Sequence, residues 1–113
     1  RFPTAVDAGV GAGAVVYPYR WKDETMRRYA REVDAVLADP GGTAGPSLSP
    51  VSLLSLEPGD RVVLPSPNGS TCVAVAHDAG ATVYAACLRN AAAVGQWITQ
   101  HHESVTVVAC GEQ

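Results

Sequence analysis

The stretch from Arg61 to the C-terminus constrains the fold most. "RVVLP" reads as a strand, "SPNGSTCVAVAHDAG" as a loop entering a helix, and "ATVYAACL" as a second strand. "NAAAVGQWITQHH" then reads as a helix and "SVTVVACG" as a further strand. Cys72, Val75, Ala76 and Ala79 fall on one helical face, with Gly80 as the stop. Val94, Trp97, Ile98 and His101 do the same on the next helix. Strands of continuous Val, Ala and Cys are suited to burial on both sides. Strands alternating with helices imply parallel pairing through right-handed crossovers. The expected fold class is α/β, with a mainly parallel sheet built from consecutive strand-helix units.

Upstream, "FPTAVDAGVGAGAVVYPY" predicts a short helix from about Pro3 and a strand over 14–17. "KDETMRRYAREVDAVLAD" predicts a long helix, with Met26, Tyr29, Ala30, Val33 and Leu37 on one stripe. Glu24/Arg28 and Arg28/Glu32 are spaced to pair along it. Residues 39–60 form a Gly/Pro/Ser-rich loop or crossover carrying an apolar patch over 51–56. Residues 1–113 therefore read as a single α/β domain. It is expected to be part of a longer one, because no helix follows the last strand.

Composition narrows the function classes. Of 113 residues, 47% are apolar and 17% charged, which is globular composition for one small domain. A net charge of −3, without a basic stripe beyond one helix, argues against a nucleic-acid partner. No apolar run approaches the roughly 18 residues of a membrane span, so no membrane partner is expected. Cys72, Cys87 and Cys110 are odd in number and set among apolar residues. They read as reduced thiols, which points to a cytoplasmic protein. A homo-oligomer is left open.

The six residues SPNGST, 66–71, admit three readings. Asn68-Gly69 suits a hairpin turn, and Asn68-Gly69-Ser70 fits a glycosylation acceptor. A strand running through Gly and Ser into a helix also builds an anion pocket. Pro65 and Pro67 remove two donors from the flank a hairpin would pair, and the acceptor matters only in a secreted chain. That leaves the strand-loop-helix, with Asn68 or Ser70 as the cap; by itself it serves equally as a capped helix with no ligand. Two further strand ends, "CLRNAAAV" and "VVACGEQ", are placed alike. Arg89 supplies a cation suited to phosphate, Asn90 a helix cap, and Glu112 a carboxylate. Parallel strands bring their carboxyl ends to one sheet edge, so the three loops favour a shared ligand site there.

Other patterns carry less. "GVGAGA" precedes a strand, the reverse of the dinucleotide-binding order. His101-His102-Glu103 are adjacent on a helix and do not face one another. The cysteines lack the spacing of a zinc site, and no nucleophile-base arrangement is visible.

Taken together, "RFPTAV", "SLSP" at 47–50, "VVLPSPNGST", "ACLRNAAAVG" and "VVACGE" resemble the 2-phosphosulfolactate phosphatase family, magnesium-dependent phosphatases of coenzyme M biosynthesis. The landmarks stand in family order across nearly the whole chain. The resemblance implies a three-layer α/β/α fold and hydrolysis of a phosphate monoester on a small acid carrying other anionic groups. It implies Ser66, Asn68, Gly69 and Ser70 as phosphate-side donors, and Arg89 and Asn90 holding the phosphate or the second anion. It also places Arg1 with Thr4 at the first loop and implies Mg²⁺ as cofactor. Glu112 is the carboxylate at a strand end, for metal or water orientation; the remaining metal ligands are unknown. The family's acidic segment before the residue matching Arg1 lies outside this sequence. The alternative is a catalytically silent anion-binding or regulatory relative of the same fold; a plain structural module is the third.

Overall fold

The computed structural model describes residues 1–39 and 45–111. In chain order the elements are α1 (Phe2–Gly11), β1 (Val15–Tyr19), α2 (Thr25–Glu32), β2 (Val36–Leu37), α3 (Pro50–Leu53), β3 (Arg61–Pro65), α4 (Gly69–Asp78) and α5 (Ala91–His101). The three strands form one parallel sheet in the order β1-β3-β2. This is an α/β fold with an open parallel sheet.

β3 is the central strand because its residues suit burial on both faces. Val62, Val63 and Leu64 have no exposed surface. Val62 and Leu64 join the core cluster with Phe2, Ala5 and Ala8 of α1 and Leu53 of α3. On the opposite face, Tyr17 and Tyr19 of β1 meet Tyr29 of α2, the Tyr19 and Tyr29 rings stacked at 4.7 Å. Side chains thus alternate along β1, and helices cover both faces of the sheet. Ala5 and Ala8 let α1 approach closely; a Cβ at Gly9 would come within 2.9 Å of Val16.

The predicted helix over 22–39 is shorter than its apolar stripe suggests. It ends after Glu32, and Asp34 takes a left-handed conformation with φ 52°. Val36 and Leu37 then pair with Val62 and Val63. The Arg61 guanidinium donates to the Val33 carbonyl through Nε at 2.9 Å and Nη2 at 2.7 Å. That satisfies a carbonyl the helix leaves open and fixes the turn into β2. Arg28 and Glu32 do pair, at 3.8 Å, but both are exposed.

The predicted strands over 81–88 and 104–111 require a larger correction. Both segments are irregular, and neither joins the sheet. Among the described residues, the N–H groups of 82–86 and 104–110 form no bond to a backbone carbonyl. Apolar runs encode readiness to be covered, while pairing also needs an adjacent strand edge. Here the runs border an apolar cavity of about 550 Å³, with Cys72, Val73, Val94 and Ile98 among its walls. Within residues 39–60, the described part includes α3, whose Leu53 is fully buried. No helix among the described residues is long and apolar enough to cross a membrane.

Candidate functional site

β1 and β3 end side by side. The Ser66 amide donates to the Tyr19 carbonyl at 2.9 Å, locking the two strand ends together. At this edge lies a cleft of about 510 Å³, lined by Arg1, Phe2, Lys22, Ser47, Leu48, Ser49, Pro50 and Ser66. Two cations and three hydroxyls face this space, with no carboxylate among the described lining residues. For a chain of net charge −3, that is a local reversal of sign. It sits where open parallel sheets bind ligands, outside the carboxyl ends of the strands.

Each group is held by local structure. The Ser66 hydroxyl accepts from the Gly69 amide at 3.3 Å, so its side chain satisfies the first N–H of α4. Its own O–H has no acceptor among the described residues, leaving it able to donate to an anion. Asn68 stands at the cap position but makes no side-chain capping bond. Ser70 is buried and its hydroxyl faces the Leu64 carbonyl at 3.4 Å, so it too is not the cap. Gly69 is buried under Phe2: a Cβ there would lie 2.3 Å from the ring. That ring, rather than a ligand, is what excludes a side chain at this position.

The opposite wall comes from "SLSP". The Ser52 hydroxyl donates to the carbonyls of Ser47 and Ser49 at 3.1 and 2.8 Å, and accepts from the Ser47 amide at 2.9 Å. The Ser49 amide donates to the Ser47 hydroxyl at 3.1 Å. This serine turn fixes the entry to α3 and holds Ser47 and Ser49 at the cleft. Lys22 follows β1 by three residues, so it leaves the sheet at the same edge. Lys22, Ser47 and Ser49 were not picked out as site residues from the sequence. Ser66 follows β3 as Lys22 follows β1, so both leave the sheet at the edge where open parallel sheets bind ligands.

Arg89 and Asn90 lie elsewhere. Arg89 pairs with Asp7 of α1 at 3.5 Å. The Asn90 carboxamide accepts from the Cys87 amide at 2.8 Å and donates to Asp7 at 3.1 Å and the Ala85 carbonyl at 3.0 Å. It clasps the 85–87 turn and makes no cap bond to α5. Thr4, half-buried in the first turn of α1, is also apart from the cleft lining. Arg1 and Ser66 are thus brought together, while Arg89 and Asn90 are joined to Asp7. Glu112 lies outside the described residues.

Other reactive groups are engaged locally. Burial pushes the Cys110 thiol above its ordinary pKa, and the neighbouring Cys72 adds to the rise. Such a thiol is a poor nucleophile at neutral pH. The His101 ring stacks on Trp97 at 3.7 Å, and His102 meets the Tyr84 hydroxyl at 2.7 Å.

A family model described as 2-phosphosulpholactate phosphatase matches residues 43–113, which include Ser47, Ser49 and Ser66. The chain belongs to this family. No curated protein and no solved structure matches the chain. The family match takes in α3, β3, α4 and α5, so it spans two of the cleft's walls.

Proposed function

We propose that the protein is a phosphatase acting on a phosphate monoester of a small acid, 2-phosphosulfolactate by family relation, and that the ester binds in the cleft between Ser47–Ser49 and Ser66. The observation that carries this reading is the described lining: Arg1, Lys22 and three serines at the carboxyl edge of a parallel sheet. Phosphoryl transfer asks a protein chiefly for positioning and for neutralisation of charge on the phosphoryl oxygens. Arg1 supplies a permanent cation, and the Ser66 hydroxyl a donor fixed by its bond from Gly69. The serine turn, closed by its own hydrogen bonds, holds the Ser49 hydroxyl at the facing wall.

The family's magnesium would neutralise phosphoryl charge, and it takes oxygen ligands, one or two carboxylates among them. Among the described residues, no group of three His, Cys, Asp or Glu is placed to hold a metal ion. The described cleft does not fit a resident Mg²⁺, and the reading assigns it no step. Arg89 and Asn90 take a scaffolding role in this reading, tying the 85–90 turn to α1 through Asp7.

The test is release of inorganic phosphate from 2-phosphosulfolactate and from a generic aryl phosphate by the intact gene product, with and without Mg²⁺. Turnover supports the reading. No release from either ester, with phosphate still raising Tm, would make the protein a silent anion-binding relative. Stabilisation should follow RT ln(1 + [L]/Kd), so no Tm shift at phosphate far above millimolar would end the cleft assignment.

A further inference from the structure

Lys22 is the chain's one lysine, and it stands in the cleft with neither a hydrogen bond nor an ion pair among the described residues. Several other cations are engaged. Arg27 pairs with Asp39, Arg28 with Glu32 and Arg89 with Asp7, while Arg61 binds the Val33 carbonyl. Arg20 lies over the Trp21 ring at 5.1 Å.

The loop that carries Lys22 is pinned on both sides. Tyr19 and Thr25 share a hydroxyl hydrogen bond of 2.6 Å, and the Thr25 amide donates to Asp23 at 2.9 Å. Asp23 also accepts from the Thr25 hydroxyl, so the nearest carboxylate in sequence is already committed. The ammonium therefore stands in the cleft with no ion pair of its own among the described residues, available to an anion that enters the space. A cleft of about 510 Å³ is the size of a small-molecule site and has room for more than one phosphate group.

We propose that Lys22 is a specificity-determining residue that binds a second anionic group, a carboxylate or sulfonate, of a substrate whose phosphate sits at Arg1 and Ser66. The assignment rests on the cleft being the phosphate-ester site. A compact ammonium on a flexible stem suits it to reaching a group whose distance from the phosphate varies between substrates.

The experiment compares two probes by calorimetry on the intact protein: methylphosphonate, with one anionic group, and phosphonoacetate, with a phosphonate and a carboxylate. Wild type should bind phosphonoacetate more tightly by roughly fivefold, the scale of one solvent-accessible ion pair. Lys22→Met should bring that ratio to about one, with the larger loss on phosphonoacetate, and Lys22→Arg should keep most of it. Lys22 is exposed, so Tm should not move in either variant. An unchanged ratio in Lys22→Met, or equal weakening of both probes, would overturn the assignment. Wild type binding neither probe would instead remove the cleft reading itself, and this one with it.

Discussion

Residues 1–80 and 81–111 both carry apolar runs and put them to different structural use. In the first region β3 sits between two strands, and Val62, Val63 and Leu64 have no exposed surface. In the second, Leu88 is fully exposed and Val107 is 89% exposed. Both regions carry runs of Val, Ala and Leu. What separates them is the availability of a strand edge, since apolar residues become a sheet only where backbone donors and acceptors are met. The comparison also divides the candidate site residues: Ser66 is tied to the paired strands and shares its cleft with Arg1 at the start of α1, whereas Arg89 and Asn90 belong to the turn on Asp7.

The largest effect expected of this contrast is at Leu53, buried between α1 and the sheet. Leu53→Ala should cost about 2–5 kcal/mol in urea unfolding, and Leu88→Ala should stay within about 0.5 kcal/mol. Equal losses at the two positions would erase the distinction between the regions. Gly69→Ala comes next. An exposed helical Gly→Ala change usually stabilises by up to about 1 kcal/mol. Here the new Cβ would meet the Phe2 ring at 2.3 Å, so a loss of about 1–3 kcal/mol is expected. A stabilised variant would show that Phe2 does not pack on α4.

The smallest effect concerns alkaline pH. Burial, and next the neighbouring Tyr17, Tyr19 and Glu32, raise the Tyr29 phenol above its ordinary 10.0. The unfolded chain gives up this proton first. Stability is therefore intact below pH about 10 and is lost as pH rises through the higher folded value. Tyr29→Phe should flatten that alkaline loss of Tm and leave the neutral-pH value nearly unchanged. An unaltered alkaline limb would remove Tyr29 from the α2–β1 packing.

Much of the first region was legible in the sequence, because its signals are local. Pro3 near a helix start and the run "RVVLP" each find their element, and the strand expected over 14–17 forms over Val15–Tyr19. Val36 and Leu37 were misassigned because they continue a helical stripe that the Arg61–Val33 contact cuts short, and that contact spans 28 residues. The same limit applied to the site. Ser66 was recognisable at the end of a strand, but Lys22 and the Ser47–Ser49 turn reach the cleft only through the β1-β3-β2 order. Asp7 was not recognised as a partner of Arg89 and Asn90, which lie more than 80 residues away in sequence.

The most direct test of the central claim, that the anion site belongs to the paired-strand region, is amide hydrogen exchange of the intact protein with and without saturating phosphate. Exchange should slow around residues 47–50 and 66–70, where the serine turn and Ser66 line the cleft, and remain unchanged at 87–90. Slowing at 87–90 with no change at 66–70 would contradict the account and move the site to Arg89.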